Sequence, residues 1–360
     1  MVVGQACGCP DGPERVRVAV ASTIVPFLHG GGRMIADDLT RALRERGHDV
    51  QRLMLPHDPE PEAQPSQRLA MRLLDVTDTC DRLIAIRPPS FLLKHPSKVL
   101  WMIHQDRLSY DLWGTALGPG ELTHEAKTLR NTIHLSDQQC IPEAAAVFTN
   151  SRIVGARLES FNGVPSRVLY PPLGNSDGFR CDPAGDYVAY ISRIKGHKRQ
   201  WLLAESMAHV RSDVRLVLAG APDTPGDLAA LSQHIERAGV GDRVTVLGHW
   251  ISEAEKRDLI AGSLACAYIP FEEDSYGYPS LESALSRKPI LTCTDSGGTL
   301  ELVEHETSGL VVEADAKALG AAIDRMARDR NGTRAMGEAL LRRTEELQIS
   351  WDFVVENLLA

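Results

Sequence analysis

Short apolar runs of strand character alternate with amphipathic helical stretches along this chain, and the alternation starts afresh near its middle. Residues 16–21 form the first apolar run. Helical periodicity follows over 33–46 through Met34, Ile35, Leu39 and Leu43 and stops at Gly47, a residue suited to the position just past a helix end. Strands are expected at 50–55, 83–86, 99–103 and 146–149, with helices at 67–74 and 121–135. After Leu169-Tyr-Pro-Pro-Leu the series restarts. Residues 187–192, 214–219, 244–247, 264–268, 290–292 and 310–312 read as strands. Residues 199–210, 226–238, 253–261, 279–286, 317–327, 332–346 and 351–359 read as helices. Repeated strand–helix units require parallel sheets covered by helices on both faces, so the fold class is α/β. Pro171 and Pro172 can continue neither a helix nor a central strand, which marks a linker. The 360 residues then divide into a tail (1–14) and two α/β domains, 15–172 and 173–346.

Composition narrows the function. A hydrophobic fraction of 43% excludes a dominantly disordered chain. No stretch approaches the roughly 18 apolar residues of a membrane span, so no integral membrane segment is expected. The start lacks a basic stretch followed by an apolar run, and a cytoplasmic location is expected. Seven cysteines, scattered and odd in number, suit reduced thiols. The net charge of −9 falls entirely after Pro172, which disfavours nucleic acid as a partner.

Open parallel sheets bind ligands beyond the carboxyl ends of their strands, and the informative residues stand there. Gly30, Gly31 and Gly32 follow the first strand and open the first helix, where bare backbone N–H groups can meet an anion. Ser192-Arg-Ile-Lys-Gly-His-Lys follows the first strand of the second half, and Arg193 and Lys198 can converge on one anionic group. Lys195 and Arg199 in that loop read as solvated. The densest feature is Asp274-Ser275-Tyr276-Gly277-Tyr-Pro-Ser-Leu-Glu282. Its carboxylates can accept hydrogen bonds from sugar hydroxyls, although Glu272, Glu273 and Asp274 could also serve as helix caps. His104 stands just past a strand end, while His29, His48, His197 and His249 read as ordinary. No metal-ligand spacing and no Asp-x-Asp pair occurs, so basic side chains and helix ends are left to hold a diphosphate.

In order and spacing, these pieces resemble the retaining nucleotide-sugar glycosyltransferases of the two-domain GT-B type, family four (glycosyl transferases group 1). The match takes in Gly30–Gly32, Phe148-Thr-Asn-Ser151, Val168-Leu-Tyr-Pro-Pro172, Arg193 and Lys198, Val246-Leu-Gly248, Asp274 and Glu282, and Gly297-Gly298 with Glu301. The resemblance implies two Rossmann-like domains with parallel sheets facing across a cleft. It implies that residues 347–360 return to the first, acceptor domain. The second domain would take the donor, a nucleoside-diphosphate sugar, and pass a hexosyl group to an acceptor hydroxyl without metal or other cofactor. By position, Arg193 and Lys198 would hold the diphosphate and Glu282 the ribose. Asp274 and His104 would meet the transferred sugar, with Ser275, Tyr276 and Gly277 beside it. Gly31 and Gly32 would face phosphates or acceptor. The family usually has Glu where Asp274 stands. A nucleotide-sugar 2-epimerase of the same fold and an inactive nucleotide-sugar-binding subunit are the alternatives.

Overall fold

The computed structural model describes residues 15–25, 31–58, 60–115 and 118–360. Gly30, His29 and the tail with Cys7 and Cys9 lie outside the described residues. The alternation resolves into two six-stranded sheets whose described pairings are parallel. The first holds β1 (Arg17–Ile24), β2 (Asp49–Pro56), β3 (Arg82–Ala85), β4 (Lys98–Met102), β5 (Ala146–Thr149) and β6 (Arg167–Val168), in the order β2-β1-β3-β4-β5-β6. The second holds β7 (Tyr187–Ile191), β8 (Arg215–Ala219), β9 (Val244–Leu247), β10 (Ala265–Ala267), β11 (Ile290–Cys293) and β12 (Gly309–Val312). Its order is β12-β11-β10-β7-β8-β9. In it the chain builds outward from β7 to β9, then returns to β10 on the other side of β7. The boundary between β7 and β10 is therefore the topological switch point, the place where an open α/β sheet leaves a crevice at its carboxyl edge.

The helices are α1 (Gly31–Glu45), α2 (Gln64–Leu73), α3 (His124–Cys140), α4 (Arg152–Asn162), α5 (Gln200–Ser206), α6 (Pro225–Ala238), α7 (Glu253–Ala261), α8 (Tyr278–Leu285), α9 (Thr299–Leu302), α10 (Ala316–Arg328), α11 (Arg330–Glu346) and α12 (Trp351–Leu359). Helix α1 buries Ile35, Ala36, Leu39 and Leu43, one face at helical spacing. Helix α5 is shorter than its periodicity suggests: it starts at Gln200, one residue late because Arg199 adopts φ 56°, and ends at Ser206, four residues before the expected 210. Helix α4 is not apparent from periodicity, since its apolar residues are few and Gly155 interrupts them. Its ends are nonetheless written in sequence: the Ser151 hydroxyl accepts from the Val154 N–H, and Gly163 closes it at φ 66°.

By contacts the chain divides into a unit running through Trp101 with 106–147 and 355–360, and a second of 102–105 and 148–354. Residues 148–172, expected with the first domain, are held to the second unit by three kinds of bond. The Ser151 hydroxyl donates to the Asp274 carbonyl. The Arg152 and Ile153 N–H groups donate to the Glu301 carboxylate at 3.0 and 3.2 Å, so Glu301 occupies the positive end of α4. The Tyr276 hydroxyl donates to the Pro171 carbonyl. In the first unit, Arg82 donates to the Leu359 carbonyl at 2.9 Å and fixes the end of α12.

Candidate active site

The loop after β7 carries the cationic residues. Arg193 donates to Asp223 at 2.8 Å, and Lys195 reaches the other oxygen of the same carboxylate at 2.8 Å. Asp223, in the loop after β8, thereby holds two cations at the carboxyl edge of the sheet, and they lower its pKa against the opposing effect of burial. Lys198 is 7% exposed; its ammonium donates to the Tyr268 hydroxyl at 2.8 Å and to Glu273. Arg199 corrects its reading as solvated. It is 8% exposed, donates to the Ile269 and Pro270 carbonyls at 2.8 and 2.9 Å, and forks onto Asp295 at 2.7 and 2.8 Å. Its left-handed backbone turns the side chain under the next loop, which it supports.

That next loop follows β10 and lies directly against the first. The Phe271 N–H donates to the His197 carbonyl at 2.9 Å, and Glu273 meets Lys198. Switch-point geometry thus brings Lys198, Glu273, Asp274, Ser275 and Gly277 together, with Arg193 on the β7 side. The Asp274 carboxylate takes a 2.5 Å bond from Arg157 of α4. The helix-cap alternative for Glu272, Glu273 and Asp274 is not what forms: Gly277 holds the cap position ahead of α8, with no side-chain cap. Tyr276 is also corrected. Its ring is 1% exposed and its hydroxyl is spent on Pro171, so its side chain packs the loop and presents nothing to a ligand.

Glu282 lies in the second turn of α8, 6% exposed, where its carboxylate accepts from Lys256 of α7 at 2.6 Å. Burial raises its pKa and Lys256 opposes the rise. Both helices run back from the carboxyl edge, so Glu282 sits beneath the Asp274 loop. Sequence spacing found Glu282 but not Lys256, which looks like a surface lysine of an exposed helix. Arg157 and Asp223 were missed for a similar reason, and Glu273 was read only as a possible helix cap: each is an ordinary charged residue until the fold supplies its partner.

Gly31 and Gly32 open α1 in the first unit; nothing lies within 4 Å of where a Cβ on Gly31 would stand. His104 follows β4, half-buried, with Nδ1 2.7 Å from the Gln105 carbonyl.

His197, read as ordinary, is half-buried beside Lys198, and burial first and that positive charge second push its pKa down to about 4. An unfolded chain takes this proton near pH 6.5. The stability its neutral form provides is therefore full above about pH 6.5 and is lost as pH falls toward 4. The loss is on the order of 2–3 kcal/mol. Denaturant titrations of wild type and His197→Gln between pH 7 and 4.5 should converge by that amount at the acid end. A constant gap would refute the assignment.

Residues 185–329 match the family model described as glycosyl transferases group 1. The human alpha-1,3/1,6-mannosyltransferase ALG2 is 23% identical over 294 residues, 74% of this chain and 68% of that protein. A GDP-mannose-dependent alpha-(1-6)-phosphatidylinositol monomannoside mannosyltransferase of Mycobacterium tuberculosis is 26% identical over 240 residues, 59% of this chain; the chain spans 58% of that protein's length. The solved structure of Anabaena HepE in complex with UDP and glucose superposes with a TM-score of 0.69 at 17% identity, covering 94% of this chain and 99% of that one, a likeness of fold. Residues 185–329 are thus similar to the glycosyl transferases group 1, and the chain shares the α/β Rossmann-like fold of its solved GT-B neighbours. Among its described residues no helix is long and apolar enough to cross a membrane.

Proposed function

We propose that the protein moves a hexosyl group from a nucleoside-diphosphate sugar to an acceptor hydroxyl, with retention at the anomeric carbon and without a metal ion. The observation that carries the reading is the switch-point crevice, where the Arg193–Lys198 loop and the Asp274 loop touch through Lys198 and Glu273. Loss of the diphosphate is the hard step, because negative charge gathers on the leaving oxygens as the sugar becomes oxocarbenium-like. Arg193 and Lys198 are preset cations at that edge, and fixed charge of this kind is usually the largest catalytic contribution. Glu282, kept near Lys256, accepts hydrogen bonds from the ribose hydroxyls. Asp274, steadied by Arg157, accepts from a hydroxyl of the sugar, and His104 meets the same sugar. Ser275 and the backbone at Gly277 line its seat. Gly31 and Gly32 bare the first N–H groups of α1 to an anion or acceptor. The leaving phosphate takes the acceptor proton on the face it departs from, which gives retention with no covalent nucleophile.

The relatives' names support mannose as the sugar and mannose- or inositol-bearing acceptors as the first to try. GDP-mannose and UDP-glucose are the two donors to compare, since the named relative is GDP-mannose-dependent and the solved neighbour holds UDP and glucose. With the active donor, proton NMR of the product should show the donor's anomeric configuration, and EDTA should leave the rate unchanged. An inverted product overturns retention, loss of activity in EDTA overturns metal independence, and a C2 epimer formed from donor alone overturns transfer.

A further inference from the structure

The edge of the second sheet opposite the switch point holds a cavity of about 490 Å³. Leu264 and Pro289 line it, and these residues immediately precede β10 and β11. The cavity therefore opens at the amino-terminal ends of parallel strands, whereas Arg193, Lys198 and Asp274 follow carboxyl ends. Four cationic side chains line it, Arg287, Lys288, Arg330 and Arg334, against two carboxylates, Asp182 and Glu338.

Lys288 is the telling residue. It is 3% exposed, and its ammonium has one described bond, to the Asp182 carbonyl at 2.9 Å. Lys98 in the first unit shows what a buried lysine ordinarily secures. It donates to the Phe91, Leu93 and Cys140 carbonyls at 2.9, 3.3 and 3.2 Å and stands 3.2 Å from the Glu143 carboxylate. An ammonium carries three protons. Lys98 satisfies them and gains a counter-charge; Lys288 leaves two protons and its whole charge without a protein partner among the described residues. A buried charge left so is expensive, and native proteins pair it. Arg334, exposed at the cavity's lining, has no hydrogen bond or ion pair among the described residues, while Arg330 is tied to Asp186 and the Ala184 carbonyl and Arg287 stands 3.6 Å from Glu338. The wall is fixed: a Cβ on Gly337 of α11 would stand 2.0 Å from the Arg287 carbonyl oxygen, so helix and loop are in close contact.

We infer that this cavity is a second binding site, taking a small phosphoryl dianion whose charge is met by Lys288 and Arg334. The lining's excess of two positive charges matches a phosphate or phosphomonoester. Cys181, an exposed thiol on the lining, reports occupancy, because the other described cysteines are buried. Alkylation of Cys181 by iodoacetamide, followed by peptide mass spectrometry, should slow about fivefold with saturating inorganic phosphate or glycerol phosphate. Protection by both makes free phosphate a sufficient ligand; protection by glycerol phosphate alone makes the ester the ligand. Equilibrium dialysis of labelled ligand should detect binding to wild type and equally to Arg193→Ala, which lacks the guanidinium of the crevice at the opposite edge. Lys288→Met and Arg334→Glu should each abolish both signals. The inference is overturned if neither compound binds wild type in either assay, or if binding persists unchanged in both variants.

Discussion

Replacing Arg193 with alanine is expected to lower kcat/KM by about 100- to 1000-fold, the usual effect of removing one preset charge donor from a developing anion. The fold should hardly notice. The Arg193 side chain is 55% exposed and its ion pair with Asp223 is of the surface kind, worth at most about 1 kcal/mol. Rate and stability therefore separate at this position. Most of the loss should fall on kcat, because the guanidinium gains interaction as charge gathers on the departing diphosphate. Arg193→Lys should recover part of it, since a point charge remains but the planar fork does not. Lys198→Ala should slow transfer comparably but also destabilise, for Glu273 is left facing a gap where the ammonium stood. Steady-state kinetics on either donor, with melting curves alongside, decide the matter: Arg193→Ala within about threefold of wild type would remove the diphosphate role.

Where sequence reading succeeded and where it failed follows from the range of the interactions involved. Strand and helix positions rest on local periodicity, and α7 and α12 fall where periodicity puts them. The eight-residue step from Asp274 to Glu282 is local too, one loop and two turns of helix. Charge partners are not local. Asp274 and Arg157 are 117 residues apart and Arg199 and Asp295 are 96 apart, and no pattern along the chain announces either. The sense of Arg199 depended on one backbone angle, the positive φ that turns it inward, which nothing short of the fold dictates. Tyr276 went astray differently. It neighbours Asp274 in the chain, but its large ring is buried in the second unit's core and its hydroxyl is bonded to Pro171, a partner 105 residues away that no local pattern announces.

Gly277→Ala should be among the most damaging single methyls in the second unit. Gly277 has φ 74° and ψ 134°, a backbone conformation that residues with a Cβ rarely take. The added carbon would stand 2.3 Å from Cε1 of Tyr268 and 2.7 Å from its hydroxyl. Tyr268 has nowhere to go: it is 2% exposed, packs edge-on to Tyr190 at 6.0 Å, and its hydroxyl receives the Lys198 ammonium. Backbone strain of about 1–3 kcal/mol and overpacking of about 1–3 kcal/mol act together. A total near 4 kcal/mol is expected, about 10 °C or more in Tm. Gly163→Ala is the control, since Gly163 has a similar φ of 66° but nothing within 4 Å of the added carbon. It should cost only about 1 kcal/mol. Relief of the Gly277 clash must push the Tyr268 ring, and with it Lys198, so transfer should fall even in protein that remains folded below its melting point. Urea titration of both variants measures the difference. Equal costs would show that the loop yields freely at Gly277, and that Lys198 is not held in place by the glycine turn.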